Sequence, residues 1–473
     1  MAKEAIEKEV LFGALPVLAE DRVYGFVDYV WLQMAYGIAS WAFLVGGLTG
    51  IVLPATEAIT AAIAGEGLGL FASAFYAVIF GRYGADQFLL TRAAFGNRGG
   101  NLQLAIWIPI NYGWIAYSAF LFGMSAIKLT PLIWPQVPSV LATVWPGATL
   151  WAVIATAIAS YVAWKGPIAC KWFTRVTSPL MLIVLGGLIY YIFAVEGIGA
   201  VFARQPVAAY ETRHLSWMNA FEWNLGLGFA WCYYWGQWSR LAKTESAALH
   251  GPWWGWGPVL CIAVVFSILT ALIVGTFDPT DWFMAIGGAT FGGIGLFLFA
   301  IANIGSIVLL IYTAAIPIKV AIPRIRWVHA SVTIAAVPAV VLFQEVVFNN
   351  YAVFLTLIGC LWTVYGAIIF TDFFAFRKKK GYWTVDEIRD MYMMGKIFRY
   401  HKGFNLAAWI TYLSSVIIYL GVYNPLTGYV GYFGVGFPWV SGLLLVFGYA
   451  IALYWLLMHL IYPQEVKRLR VVE

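Results

Sequence analysis

Long apolar blocks separated by short polar or basic stretches recur along the whole chain. A spanning helix needs about 20 mostly apolar residues. That length divides the 473 residues into twelve predicted spans, near 27–51, 55–81, 101–127, 148–164, 174–199, 217–239, 255–277, 283–318, 327–345, 350–376, 404–423 and 437–462. The eighth is too long for one straight crossing and predicts an internal break or an amphipathic extension. No heptad repeat, low-complexity tract or soluble domain interrupts the series. The pattern predicts an all-α polytopic membrane protein of twelve transmembrane helices.

Composition removes the soluble alternative. Hydrophobic residues make up 62% and charged residues only 11%, against about 25% charged in soluble domains. The charges lie between the apolar blocks, and their sign sets an orientation. With the N-terminus inside, every lysine and arginine except Lys128, Arg204 and Arg213 falls on the cytoplasmic side, as the positive-inside rule requires. One missed span would swap all later loops, so both termini are expected to be cytoplasmic, in the inner (cytoplasmic) membrane.

The cytoplasmic parts are then an N-terminal segment 1–26, a basic loop 377–403 and a tail 463–473. The run Arg377 to Lys380 reads as an anchor on anionic lipid. Met1 to Arg22 mixes lysines with glutamates, unlike the basic start of a signal peptide, so the first span is expected to remain in the mature protein.

The chemistry of most enzymes is missing. Cys170, Cys232, Cys261 and Cys360 show no CxxC spacing and read as small core hydrophobes. The five histidines are isolated, without HExxH or paired spacing, so neither a metal site nor a cofactor is expected. No filter repeat suggests a channel, and the expected partners are a small solute, a coupling cation and lipid, with no nucleic acid.

Between the second and third predicted spans stand Gly81-Arg-Tyr-Gly84, Phe88-Leu-Leu-Thr-Arg92-Ala-Ala-Phe95-Gly96-Asn-Arg-Gly99 and, inside the third span, Gly113-Trp114. Downstream follow Gln237-Trp-Ser-Arg240, Ala302-Asn303-Ile304 and Gly403-Phe-Asn405-Leu-Ala407. In this order the motifs resemble the nucleobase:cation symporter-1 family, which includes cytosine, uracil, allantoin and hydantoin permeases. The resemblance implies a LeuT-type fold with two inverted five-helix repeats, 27–199 and 217–376, followed by two further helices over 404–462. It also implies interruptions in helices 1 and 6, where freed backbone groups meet solute and ion. Gly37-Ile-Ala-Ser40-Trp41 and Gly226-Leu-Gly228-Phe229 are the segments whose glycines would ease such breaks, although glycine also serves plain helix packing.

A planar polar solute needs aromatic faces and a few hydrogen-bonding groups. The resemblance places Trp114, after Gly113, where relatives stack substrate, with Ser118 one turn on along the same face. Ser40 and Trp41 lie near the expected first break. In the sixth span the motif spacing brings Leu227 or Gly228 to the usual aromatic position, with Phe229 as a substitute. Asn303 is a buried amide that either braces helices or touches solute. Sodium-coupled relatives carry two hydroxyl residues just before this asparagine, whereas this chain has Ile301 and Ala302. Ser306 would replace one only if the helix rotated.

A proton would need an acid, for which Glu57 and Glu222 near span ends are the candidates, unless both simply face the outer interface. The expected function is secondary transport of a nucleobase or related heterocycle, coupled to a cation, H+ rather than Na+ being favoured by these substitutions. The alternative is a same-fold carrier of an amino acid or vitamin-like solute.

Overall fold

In a bilayer each backbone amide must find its partner inside the protein, which drives the apolar blocks to helix. The computed structural model describes residues 15–332, 348–377 and 383–470. Among them, eight helical runs are long and apolar enough to cross a membrane: Ala55–Tyr83, Asn97–Ile133, Val144–Trp164, Pro167–Glu196, Glu245–Val274, Pro279–Ala321, Tyr351–Arg377 and Gly442–Ile461. A bent pair, Phe26–Gly37 with Ser40–Val52, makes a ninth. Leu406–Val422 is apolar but shorter. The predicted span 217–239 is the helix Arg213–Ala230 with short turns beyond it. The predicted span 327–345 lies mostly outside the described residues.

We number the helices α1 (Phe26–Gly37), α2 (Ser40–Val52), α3 (Ala55–Tyr83), α4 (Gln87–Phe95), α5 (Asn97–Ile133), α6 (Thr149–Trp164), α7 (Pro167–Tyr190), α8 (Arg213–Ala230), α9 (Trp235–Ser239), α10 (Glu245–Gly255), α11 (Gly257–Val274), α12 (Pro279–Gly287), α13 (Gly293–Ala321), α14 (Tyr351–Phe370), α15 (Val385–Met393), α16 (Leu406–Val422) and α17 (Gly442–Ile461). They sort into neighbourhoods. The broken pair α1 and α2 packs on α10 and α11, and α3 packs on α8. The long α13 is surrounded instead by α5, α6 and α7. The eighth predicted span divides at Gly288, whose φ of 59° separates α12 from the turn leading into α13.

The α3–α8 seam is close enough to need glycine on both sides. A Cβ on Gly69 would sit 2.8 Å from the Cα of Gly228, nearer than carbon atoms approach without displacement. Small residues give such contact where lipid supplies no hydrophobic drive.

Two segments distant in sequence form a polar clasp at one end of the bundle. Gly96 adopts φ 87°, and a Cβ there would meet the Gly403 carbonyl at 2.5 Å. The Gly403 carbonyl accepts from the amides of Arg98 and Gly99 at 2.8 and 3.1 Å. Asn405 donates its amide to the Phe95 carbonyl at 2.9 Å and its side chain to the Ala94 carbonyl at 2.7 Å. Arg92 reaches the Met391 carbonyl at 2.7 Å. Arg377 reaches the Ala93 carbonyl at 3.1 Å and pairs with Asp372, both side chains only 2% exposed. The described part of the basic loop is thus docked onto the protein, while Lys378 to Lys380 lie outside the described residues. Asp86 caps α4 by accepting from the Phe88 amide at 2.8 Å. Its burial pushes the carboxyl up to about 6, with the Arg240 charge opposing.

Candidate functional site

The first predicted span is interrupted where the glycine suggested. Helix α1 ends at Gly37, Ala39 is extended, and α2 starts at Ser40 with a 43° change of direction. A Cβ on Gly37 would lie 2.9 Å from the Trp256 carbonyl, so the residue also admits a close backbone neighbour. Carbonyls near the break find side-chain donors: Trp41 Nε1 donates to Tyr36 O at 2.9 Å, and the Ser306 hydroxyl donates to Ala35 O at 3.3 Å.

The sixth span breaks later than expected. Helix α8 runs unbroken through Gly226 and Gly228 to Ala230, and the interruption falls at Trp231–Tyr233 before α9. The two glycines serve packing instead: Gly228 meets Gly69, and Gly226 meets the Leu355 carbonyl. The break is braced by Gln87 from α4, which donates to the Cys232 carbonyl and accepts from the Gly236 amide at 3.0 Å.

Both breaks open onto one aromatic cluster. The Trp41 ring centroid lies 5.6 Å from that of Trp114 and 5.5 Å from that of Trp231, and Trp231 lies 4.9 Å from Tyr36. On its far side Trp114 meets Phe354 at 5.0 Å and Tyr351 at 6.3 Å. Gly113 makes room for the Phe354 ring, which a Cβ would meet at 2.6 Å. All three tryptophans are buried.

Polar groups stand beside these rings. The Ser40 and Ser118 hydroxyl oxygens are 3.4 Å apart, and Asn303 donates to the Ser118 carbonyl at 2.5 Å. Asn303 Oδ1 and Trp231 Nε1 are buried without a hydrogen-bond partner. An unused acceptor and an unused donor are what a heterocycle's edge would satisfy.

The structure therefore brings together Trp41, Ser40, Gly113, Trp114, Ser118 and Asn303. It sets Leu227 and Phe229 apart: Phe229 packs on Phe447 of α17 at 5.2 Å, and Leu227 is buried one turn before the break. The aromatic that the sixth span brings to this cluster is Trp231, a position beyond the Leu227–Phe229 segment that the motif spacing from Arg240 marked.

The acids also divide. Glu57 opens α3 and lies 3.2 Å from Arg213 with a third of its side chain exposed. Glu222 is buried, accepting from the Leu443 amide at 3.3 Å. Sequence reasoning overlooked Glu66, buried at 1% exposure in the middle of α3. Its signal was available, since it is an acid far from either end of an apolar block.

The family model for permeases for cytosine/purines, uracil, thiamine and allantoin matches residues 16–446. No curated protein matches the chain by sequence. Among solved structures, Mhp1, a nucleobase-cation-symport-1 family transporter, in a closed conformation with bromovinylhydantoin bound, superposes with a TM-score of 0.75. It shares 16% identity, with 97% of this chain and 98% of that one covered. The inward-facing conformation of Mhp1 gives 0.73 at 16% identity, covering 98% of each chain. MhsT in complex with L-phenylalanine gives 0.51 at 13% identity over 90% of this chain and 98% of that one. The fold is that of LeuT-type transporters.

Proposed function

The chain belongs to the family of permeases for cytosine/purines, uracil, thiamine and allantoin, and from that premise we propose that it is a cation-coupled secondary transporter of a small planar heterocycle, a nucleobase or hydantoin-like ring. The observation that carries this reading is the meeting of two helix breaks at Trp41, Trp114 and Trp231, beside the unpaired polar atoms of Asn303 and Trp231. Flat rings stack on such faces, and edge-directed donors and acceptors choose among them. The family match does not favour the amino-acid alternative.

The rest of the reading follows the same premise. Twelve spans form two inverted five-helix repeats and a terminal pair, with both termini cytoplasmic in the inner membrane. The aromatic cluster is the substrate site, and access alternates as one neighbourhood of helices rocks against the other. The coupling ion is a proton. Ile301 and Ala302 offer no side-chain oxygen where sodium would want several oxygen ligands, and Ser306 supplies a single hydroxyl, already turned toward Ala35 O.

The test is flux. Purified protein in proteoliposomes should take up radiolabelled cytosine, uracil or allantoin with saturation at low concentration and show exchange against unlabelled solute. Linear, non-saturating flux would indicate a pore and overturn the carrier.

A further inference from the structure

Glu66 is the one acid in the interior of α3 that neither an ion pair nor a hydrogen bond accounts for. Both carboxyl oxygens are buried without a partner, in a residue 1% exposed. Its direction follows from its neighbours. Leu70, one turn on, fills the space beside Gly257 at the start of α11, so Glu66 faces α11 one turn further along, beside Cys261.

The titratable groups near it on neighbouring helices are Cys261 of α11 and Tyr351 of α14. Helix α8 covers the adjoining face, with the Phe221 carbonyl and the Leu225 amide each 2.8 Å from a Cβ placed on Gly65. The acid of α8, Glu222, is turned away to the Leu443 amide. The polar group α8 does present there is Asn224, whose Nδ2 donates to Thr49 at 2.9 Å and whose Oδ1 is unused.

This place adjoins the aromatic cluster. The Tyr351 hydroxyl donates to the Trp41 carbonyl at 3.0 Å, and the Tyr351 ring packs against Trp114. A carboxylate taken out of water without a cation is costly, and an intramembrane acid is retained where it serves transport.

We propose that Glu66 carries the coupling proton of this transporter, an inference that rests on the proton-coupled reading above. The carrier closes around its solute with this group as the neutral acid. When one side opens and water reaches it, the O–H bond breaks, the electron pair stays on the carboxylate oxygen and the proton passes to water on that side. Once the solute has left, water filling the vacated cavity keeps the carboxylate hydrated while the empty carrier returns, and the group takes up a proton again only with the next solute, so one proton crosses with each solute. Tyr351 ties this event to Trp41 and hence to the solute.

The experiment uses the full chain in proteoliposomes with radiolabelled cytosine, uracil and allantoin as probes. Wild type should accumulate at least one of them under an inward pH gradient. Glu66→Gln should still exchange that solute at equilibrium but lose gradient-driven accumulation. Should Glu66→Gln fail to fold, Glu66→Asp takes its place and should shift the pH midpoint of accumulation.

Full pH-driven accumulation by Glu66→Gln, or an unmoved midpoint in Glu66→Asp, would overturn the role of Glu66 alone. Wild-type accumulation that follows a sodium gradient and ignores pH would overturn proton coupling. Wild type that transports none of the three would sink the transport reading itself.

Discussion

Trp41 and Trp231 meet with ring centroids 5.5 Å apart, so the interruptions of the first and sixth spans touch through a single aromatic pair. Each ring sits at the point where its helix loses its regular hydrogen bonding, one just after the break and one within it. A movement at either break is therefore felt at the other.

Trp231→Ala and Trp114→Ala should each weaken solute binding by roughly 1–3 kcal/mol, the usual effect of losing an aromatic anchor. Phe229→Ala, which removes a contact with Phe447 instead, should leave affinity within about twofold, as expected of a residue outside the contact. Equilibrium binding on folded protein checks all three, and a larger loss in Phe229→Ala than in Trp231→Ala would return the site to the glycine segment.

Two ligands that stabilise one state of a carrier must strengthen each other. With Ile301 and Ala302 lacking side-chain oxygen ligands, solute affinity should differ less than about threefold between sodium and choline media, a coupling below about 1 kcal/mol. Tenfold tighter binding in sodium would show that Ser306 and the carbonyls of α1 hold that ion after all.

The clasp should respond to pH through Asp86. Its carboxyl sits at about 6 in the folded protein against a reference of 3.8. A buried acid raised in this way favours the protonated fold, so its contribution is fully present below the reference value and is lost as pH rises toward about 6. The loss is on the order of 3 kcal/mol, from about 1.4 kcal/mol per pH unit. Thermal melting should show Asp86→Asn gaining on wild type between pH 4 and 6 or so. A difference that stays flat over that range would refute the assignment.

Gly228→Ala should destabilise by about 1–3 kcal/mol, the usual cost of overfilling a tight contact, because its Cβ would meet the Cα of Gly69 at 2.8 Å. Melting in detergent measures it, and an unchanged midpoint would mean that the seam is looser than it stands.

Much of this was legible along the chain. Period and length placed the apolar helices, and the break at Gly37–Ser40 could be marked because a glycine stands there in mid-span. The sixth-span break could not be placed in this way. Glycine permits both a kink and a close helix contact, and only the presence of Gly69 opposite Gly228 tells which role is filled. The brace at that break, Gln87, comes from the start of α4 far earlier in the chain, and nothing local to Trp231 announces it. Glu66 escaped because one acid hardly alters the hydropathy of a long apolar block, and acids near span ends drew attention first.

The clasp has a consequence for how the molecule is made. The carbonyls of Ala93, Ala94 and Phe95 receive their side-chain and backbone donors from Arg377, Tyr400 and Asn405. During synthesis the early segment thus emerges with these acceptors waiting, and they stay unmet until the last quarter of the polypeptide has left the ribosome. A nascent chain halted before Asn405 would carry the early helices but not their fastening, which makes this junction a natural point at which quality control distinguishes a finished protein from a truncated one.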